Sequence, residues 1–208
     1  MGSHRDIRPA GPRAIDASEL IRLFVAIELP AELRETLAAL QADLRRRGLD
    51  SLRWVRPDGI HLTLKFLGEV PSNKLPAIRQ ALAGSVKGVP MHRLSVGPLG
   101  TFGNRRGPQV LWVDLKGDLE PLLLLQERVE RALEAAGFPR ERRQFAPHLT
   151  LARVRPEAAP AMAARLAEAI QAVRVPPGEL KVREVSLMRS ILQKGGAVYQ
   201  CLATFPLE

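Results

Sequence analysis

His61-Leu62-Thr63-Leu64 and His148-Leu149-Thr150-Leu151 are the same four residues at two places in the chain. Successive side chains of an extended strand point to opposite faces, so each His shares a face with its Thr and the two leucines share the other. The chain has four histidines, and two of them stand in these motifs. Each motif therefore predicts a strand that presents an imidazole and a hydroxyl on one face and anchors the other face in a core.

The order of predicted elements repeats around the two motifs. Each half of the chain shows strand, helix, motif strand, helix and strand, and Leu23 precedes His61 by 38 residues while Leu111 precedes His148 by 37. Such matched spacing indicates an internal duplication. We predict an α+β fold of two pseudo-twofold-related lobes, each an antiparallel or mixed sheet with helices on its outer face, around a central cleft.

Apolar runs, helical stripes and Pro or Gly punctuation give the individual elements. Helices are expected to begin at Pro30, at Ser72 or Asn73, at Leu119 and at Pro156. Gly68 and Pro71 are expected to end the first motif strand, Gly97-Pro98 to break an extended segment, and 103–108 to form a polar loop. The predicted strands span 23–27, 54–55, 60–67, 93–102, 110–115, 146–154, 180–189 and 197–205.

Composition indicates where in the cell the protein acts and what kind of partner it binds. No apolar run approaches the roughly 20 residues of a membrane helix, nothing at the N-terminus resembles a signal peptide, and there is a single cysteine, Cys201. We predict a cytoplasmic monomer with no membrane partner, a polar and flexible N-terminal extension over 1–20 that begins with a possible cloning remnant, and a single bilobal domain over 21–208. The 31 Lys and Arg residues against 22 Asp and Glu favour a polyanionic partner, of which nucleic acid is the commonest.

Two histidines that face one phosphate can supply a neutral base and a charged acid without a metal, because imidazole titrates near pH 6.5. The hydroxyls of Thr63 and Thr150 can donate hydrogen bonds to the non-bridging oxygens. A metal site needs three or four ligands, and neither motif has a second His or a carboxylate within two positions. A serine hydrolase is disfavoured because no Gly-x-Ser-x-Gly is present. We therefore expect no cofactor and no metal.

These residues resemble the paired HxTx motifs of the 2H phosphoesterase superfamily, and most closely its RNA 2′,3′-cyclic phosphodiesterase branch, also described as RNA 2′–5′ ligase-like. The resemblance covers about residues 22–206. Its matching stretches are 23–27, 61–68, 101–103 with 110–112, 147–153 and 187–190.

The resemblance implies a metal-independent hydrolase that opens 2′,3′-cyclic phosphate at an RNA end to a 2′-phosphate. It makes His61 and His148 the catalytic pair, and it implies that the motif threonines and Arg153 contact phosphate. Strict alternation puts Arg153 on the face opposite His148, so Arg153 reaches the cleft only if the strand bulges or ends first.

Three matters stay open at the level of sequence. We assign His148 as the base and His61 as the acid, and reversible 2′–5′ RNA ligation would follow from the same pair. Phe24 and Phe102 are candidates for contact with a base, with core packing as the competing interpretation. The alternatives to an enzyme for RNA ends or 2′,3′-cyclic nucleotides are a phosphodiesterase for another small cyclic or 2′–5′ linked nucleotide and a non-catalytic module that binds RNA ends.

Overall fold

The computed structural model describes residues 19–193 and 196–208, so most of the extension predicted over 1–20 lies outside the described residues. The described residues form nine strands and four α-helices. The strands are β1 (Leu20–Glu28), β2 (Arg53–Trp54), β3 (His61–Pro71), β4 (His92–Asn104), β5 (Gly107–Gly117), β6 (His148–Arg153), β7 (Glu179–Val182), β8 (Glu184–Gln193) and β9 (Gly196–Pro206). The α-helices are α1 (Ala31–Leu44), α2 (Leu75–Ser85), α3 (Leu119–Ala135) and α4 (Ala159–Ala172).

The strands form one continuous sheet in the order β7-β4-β5-β6-β3-β1-β8-β9, with β2 added to β6. Every pairing in the described ladders is antiparallel. The order is symmetric about its centre, where the two motif strands meet through one residue pair, Leu62 and Leu149. The predicted α+β fold with pseudo-twofold lobes is confirmed, and the lobes are two halves of one antiparallel sheet.

The helices pack their leucine stripes against the face of the sheet that carries the motif leucines. The predicted stripe of α1 is buried, and so is the predicted stripe of α3. All four motif leucines are at most 3% exposed. This burial fixes the other face of β3 and β6, which carries the His and Thr side chains, toward the cleft. No helix in the described part of the chain is both long and apolar enough to cross a membrane.

Several predicted element boundaries were wrong. β3 continues through Gly68 to Pro71, and Gly68 adopts a left-handed φ of 74° where the pairing with β1 shifts register. β4 continues through Gly97-Pro98, because a register shift against β5 between Val96 and Leu99 absorbs them. Such bulges let a strand accommodate residues that usually end it.

Two connections also differ from the prediction. The loop predicted over 103–108 is a β-hairpin whose ladder extends to the pair Asn104 and Gly107. The strand predicted over 180–189 is two strands separated only by Arg183, since β7 pairs with β4 while β8 pairs with β1. The chain thus passes from one half of the sheet to the other at a single residue, which alternation alone does not reveal.

Candidate active site

The two motif strands place their histidines and threonines in one cleft of about 580 Å³. His61 and Thr63 come from β3, and His148 and Thr150 come from β6, its neighbour at the centre of the sheet. The remaining lining residues include Arg22, Phe24, Val55, Phe66, Val110, Arg143, Arg153, Ser190, Leu192 and Tyr199. The duplicated motif therefore forms a single two-sided site.

Each motif imidazole is oriented by a backbone carbonyl two residues earlier. Nδ1 of His61 lies 2.8 Å from the oxygen of Gly59, and Nδ1 of His148 lies 2.7 Å from the oxygen of Ala146. Because a carbonyl oxygen can only accept, Nδ1 carries a proton in both rings. His92 makes the same local bond to Pro90, yet its ring is buried. The bond fixes the ring, and the cleft leaves Nε2 of the two motif histidines available for a ligand.

Aromatic rings enclose both imidazoles. Phe24 stacks on His61 with centroids 4.6 Å apart, and Tyr199 meets the same ring edge-on at 5.1 Å. Phe102 meets the His148 ring edge-on at 4.8 Å. These contacts remove water from both rings and favour their neutral forms.

Burial accordingly lowers the pKa of His61 to about 4, against the raising effect of the hydrogen bond to Gly59, and His148 adds a smaller lowering contribution. Burial also lowers the pKa of His148, opposed by the bond to Ala146 and supported by the positive charge of Arg153. Without a ligand both rings are therefore neutral at pH 7, and each can accept a proton.

A β-bulge brings Arg153 into the cleft. Thr150 pairs with Trp112, but the next pair is Ala152 with Leu111, so Leu151 is an extra residue in β6. The extra residue reverses the alternation, and Arg153 lines the same cleft as Thr150. Arg153 thus reaches the cleft because the strand bulges, one of the two conditions under which the sequence allowed it.

The carbonyl oxygen of the bulged residue accepts two hydrogen bonds. The oxygen of Leu151 accepts from the backbone N–H of Val55 at 2.9 Å and from Nε2 of Gln41 at 3.0 Å. Gln41 is buried and also donates to the oxygen of Val55 at 2.8 Å. One glutamine from α1 therefore ties the bulge to the segment that follows β2.

The first motif has the same bulge. Thr63 pairs with Ala26 and Lys65 pairs with Val25, which leaves Leu64 as the extra residue of β3. The bulge turns Phe66 into the cleft, five residues after its His, as Arg153 stands five residues after His148. The two halves of the site thus differ in a defined way: the first presents an aromatic ring, and the second presents a guanidinium group.

The predicted aromatic candidates pack on the two motif histidines. Phe24 is 3% exposed and is packed between the His61 and Tyr199 rings, whereas Phe66 is 65% exposed. Phe102 packs on His148 and Trp112 and does not line the cleft. Sequence reasoning missed Phe66, although its matched spacing with Arg153 was a signal that could have found it.

Comparison with known proteins identifies the family. The model of the 2′-5′ RNA ligase superfamily matches residues 29–193, most of the chain. The chain belongs to the 2′-5′ RNA ligase superfamily. The RNA 2′,3′-cyclic phosphodiesterase of Methanothermobacter thermautotrophicus is 32% identical over 90% of this chain and 99% of its own. The enzyme of the same name from Archaeoglobus fulgidus is 34% identical over 89% of this chain and 99% of its own.

A solved member of the superfamily shares the fold over nearly its whole length. The crystal structure of E. coli LigT complexed with 3′-AMP superposes with a TM-score of 0.71 at 30% identity. The match covers 91% of this chain and 99% of LigT. The resemblance inferred from the two HxTx motifs is confirmed.

Proposed function

We propose that the protein is an RNA 2′,3′-cyclic phosphodiesterase that works by acid–base catalysis with His61 and His148. One observation carries the proposal: two imidazoles, each with Nδ1 bound to a backbone carbonyl, line one cleft together with two threonine hydroxyls and Arg153. The names of the relatives from Methanothermobacter and Archaeoglobus support the same activity.

In the proposed reaction, His148 takes a proton from water as the water oxygen attacks phosphorus. The bond between phosphorus and the ribose O3′ breaks, and His61 gives its proton to O3′. The products are a 3′-hydroxyl and a 2′-phosphate, and exchange with solvent resets the two rings. General acid–base catalysis of this kind contributes about 10²–10⁴-fold for a positioned group.

The acid must be charged before the reaction, although burial lowers the pKa of His61 to about 4 in the empty cleft. A bound phosphodiester carries a negative charge, and a nearby opposite charge raises the pKa of an imidazole. Substrate binding therefore raises the pKa of His61, so that the ring can hold a proton that it does not hold in the empty cleft. This coupling confines the charged acid to the substrate complex.

The other cleft residues divide between phosphate and nucleoside. Arg153 and the two threonine hydroxyls would hold the non-bridging oxygens, since charge-assisted hydrogen bonds fix both charge and orientation. Phe66 is the exposed ring of the cleft wall, and an exposed aromatic ring stacks on any base. The substrate would then lie with its phosphate toward Arg153 and its base toward Phe66.

Ligation uses the same groups in the same roles, with a different nucleophile. If an RNA 5′-hydroxyl replaces water, His148 can deprotonate it, and attack on the cyclic phosphate gives a 2′–5′ linkage with a free 3′-hydroxyl. We propose this as a second reaction of the same site, favoured only where RNA ends are held together.

The test is turnover of 2′,3′-cyclic AMP and of a short RNA with a 2′,3′-cyclic end, in the presence of EDTA, with the product followed by ³¹P NMR. We expect a 2′-phosphate. Turnover of other cyclic or 2′–5′ linked nucleotides alone would favour a sister phosphodiesterase. Binding of the RNA end without turnover would favour the non-catalytic module.

A further inference from the structure

Arg53 and Arg153 are direct partners in the short ladder between β2 and β6. Residues directly opposite each other in an antiparallel pair share a face, with Cβ atoms about 4.5–5.5 Å apart. Arg153 lines the cleft, so Arg53 lies beside it on the cleft side of the sheet. The two arginine side chains thus start next to each other at the edge of the site.

Like charges directly opposite on two strands are destabilising. Within residues 19–193 and 196–208, neither of these arginines forms an ion pair with an Asp or Glu, although nine ion pairs occur there. Both side chains are exposed. An anion that lies between or alongside the two groups would offset their repulsion.

Hydrogen bonds that involve side chains hold the backbone next to Arg53 in place. Trp54 donates from Nε1 to the oxygen of Leu49 at 3.1 Å, and Gln41 donates to the oxygen of Val55 at 2.8 Å. Val55 lines the cleft. Because side chains alternate along an extended chain, Arg53 lies on the same face as Val55, and the two residues are about 6.6–6.8 Å apart. Arg53 therefore extends the cleft outward in a fixed direction.

We propose that Arg53 binds the phosphodiester on the 5′ side of the terminal nucleoside while Arg153 holds the reacting cyclic phosphate. This position rests on the proposed function and extends it, because it makes a chain end a better substrate than a mononucleotide. A guanidinium group suits this role, since its fork of donors matches two phosphate oxygens.

The experiment compares two substrates: 2′,3′-cyclic AMP, which has no phosphate on its 5′ side, and ApA with a 2′,3′-cyclic end, which adds this phosphodiester and one adenosine. In Arg53→Ala, kcat/KM for the dinucleotide should fall about tenfold, as expected for a lost charge-assisted contact. The value for 2′,3′-cyclic AMP should stay within about twofold of wild type. Arg165→Ala on α4 removes the same charge from an exposed helical position and should change neither value.

Two further measurements sharpen the result. KM for the dinucleotide should rise less steeply with salt in Arg53→Ala than in wild type, because one contact between a charge and a phosphate is lost. The melting temperature should not fall, because the substitution removes a repulsion at an exposed site.

Equal loss on both substrates would mean that Arg53 serves the reacting phosphate, and no loss on the dinucleotide would mean that it binds nothing. Either result overturns the proposal. If the wild type hydrolyses neither substrate, the proposed function fails, and calorimetric titration with 2′-AMP and with ApA 2′-phosphate still tests the position. Equal affinities of wild type and Arg53→Ala for the dinucleotide would then overturn it.

Discussion

His61 lies between the rings of Phe24 and Tyr199, and its Nδ1 is bound to a carbonyl. The ring is therefore fixed in orientation and poorly hydrated, and it has one free nitrogen. His148 has the same carbonyl bond but less aromatic cover, and Arg153 acts on its pKa. The pKa values of two chemically identical residues that line one cleft are thus set by different surroundings.

His61→Ala and His148→Ala should each lower kcat by at least about 100-fold, because each removes one proton-transfer role. A substrate whose O3′ is replaced by sulfur separates the roles, since a thiolate leaves without a general acid. We expect this substrate to restore the rate of His61→Ala and not that of His148→Ala. Single-turnover rates at saturating substrate measure the effect. If this substrate instead restored the rate of His148→Ala, His148 would be the acid and His61 the base.

The pH dependence should follow from the lowered pKa values. The base is lost as pH falls through its pKa, and the acid is lost as pH rises through its pKa, so both profiles should be bell-shaped. Because burial lowers the pKa of both histidines in the free protein, the bell of kcat/KM should be centred below pH 6.5. Bound phosphate raises both pKa values, so the bell of kcat should lie at higher pH.

Rates on 2′,3′-cyclic AMP between pH 4 and 9 measure both profiles, and the two limbs belong to the coupled pair. A rate that climbs steadily to pH 9 would show that no imidazolium acid is needed.

Phe66→Ala should weaken productive binding of the nucleoside. Base stacking on an aromatic ring is worth about 1–3 kcal/mol, so kcat/KM should fall about 5- to 150-fold. The loss should disappear with an abasic ribose 2′,3′-cyclic phosphate, which has no base to stack. Leu123→Ala, at an exposed leucine of α3, serves as the control. An equal loss on the abasic substrate would assign Phe66 to packing.

At the scale of elements, the two motif strands share a bulge but differ in the residue just after it. The position holds Lys65 in β3 and Ala152 in β6, and both are buried. Lys65 pairs with Glu130 of α3 at 2.6 Å and donates to the oxygen of Pro139 at 2.8 Å. Glu130 also accepts from the N–H of Glu141. This ion pair ties the first motif strand to the segment around Pro139 and Glu141, which connects α3 to β6.

Breaking the pair should be costly. Glu130→Gln or Lys65→Met leaves one buried charge without its partner, and we expect each to lower the free energy of unfolding by about 3–5 kcal/mol. The double variant should lose much less than the sum of the two, which a double-mutant cycle by urea unfolding measures. Asp43→Asn, which breaks an exposed pairing with Arg46 and Arg47, should cost below about 1 kcal/mol. Additive losses in the double variant would show that the two buried charges do not interact.

At the scale of the whole molecule, the proposed mechanism takes its proton donor and its proton acceptor from the two symmetry-related motifs. The described residues contain no group of three or more His, Cys, Asp or Glu side chains arranged to hold a metal ion. We therefore expect EDTA to leave kcat and KM for 2′,3′-cyclic AMP unchanged. Activity that stops with EDTA and returns with Zn²⁺ or Mn²⁺ would make the motif histidines ligands and end the two-histidine mechanism.

The charge of the molecule bears on the same substrate. A net charge of +9 attracts polyanions over the whole surface, but the arginines that line the cleft are few. Under the proposed function, general attraction would speed encounter with RNA, while the local arginines would fix its end in the site.

The sequence by itself determined the two motif strands and the identity of their faces. His, Leu, Thr and Leu in alternation specify one polar and one apolar face because the direction of a side chain in a strand is a local property. Duplication of the motif could also be read from the sequence, as could the apolar stripe of α1 from Leu33 to Leu44. These features sufficed to predict the fold and the meeting of the two histidines in one cleft.

Only the tertiary structure decided which further residues enter the cleft. The bulges at Leu64 and Leu151 depend on how each motif strand pairs with its neighbour, and a period-two pattern contains no trace of them. Arg153 and Phe66 reach the site through these bulges, and Arg53 reaches its position through a ladder of two residues. Pairing between distant segments sets register, and register sets which side chains meet, so this part of the site required the folded chain.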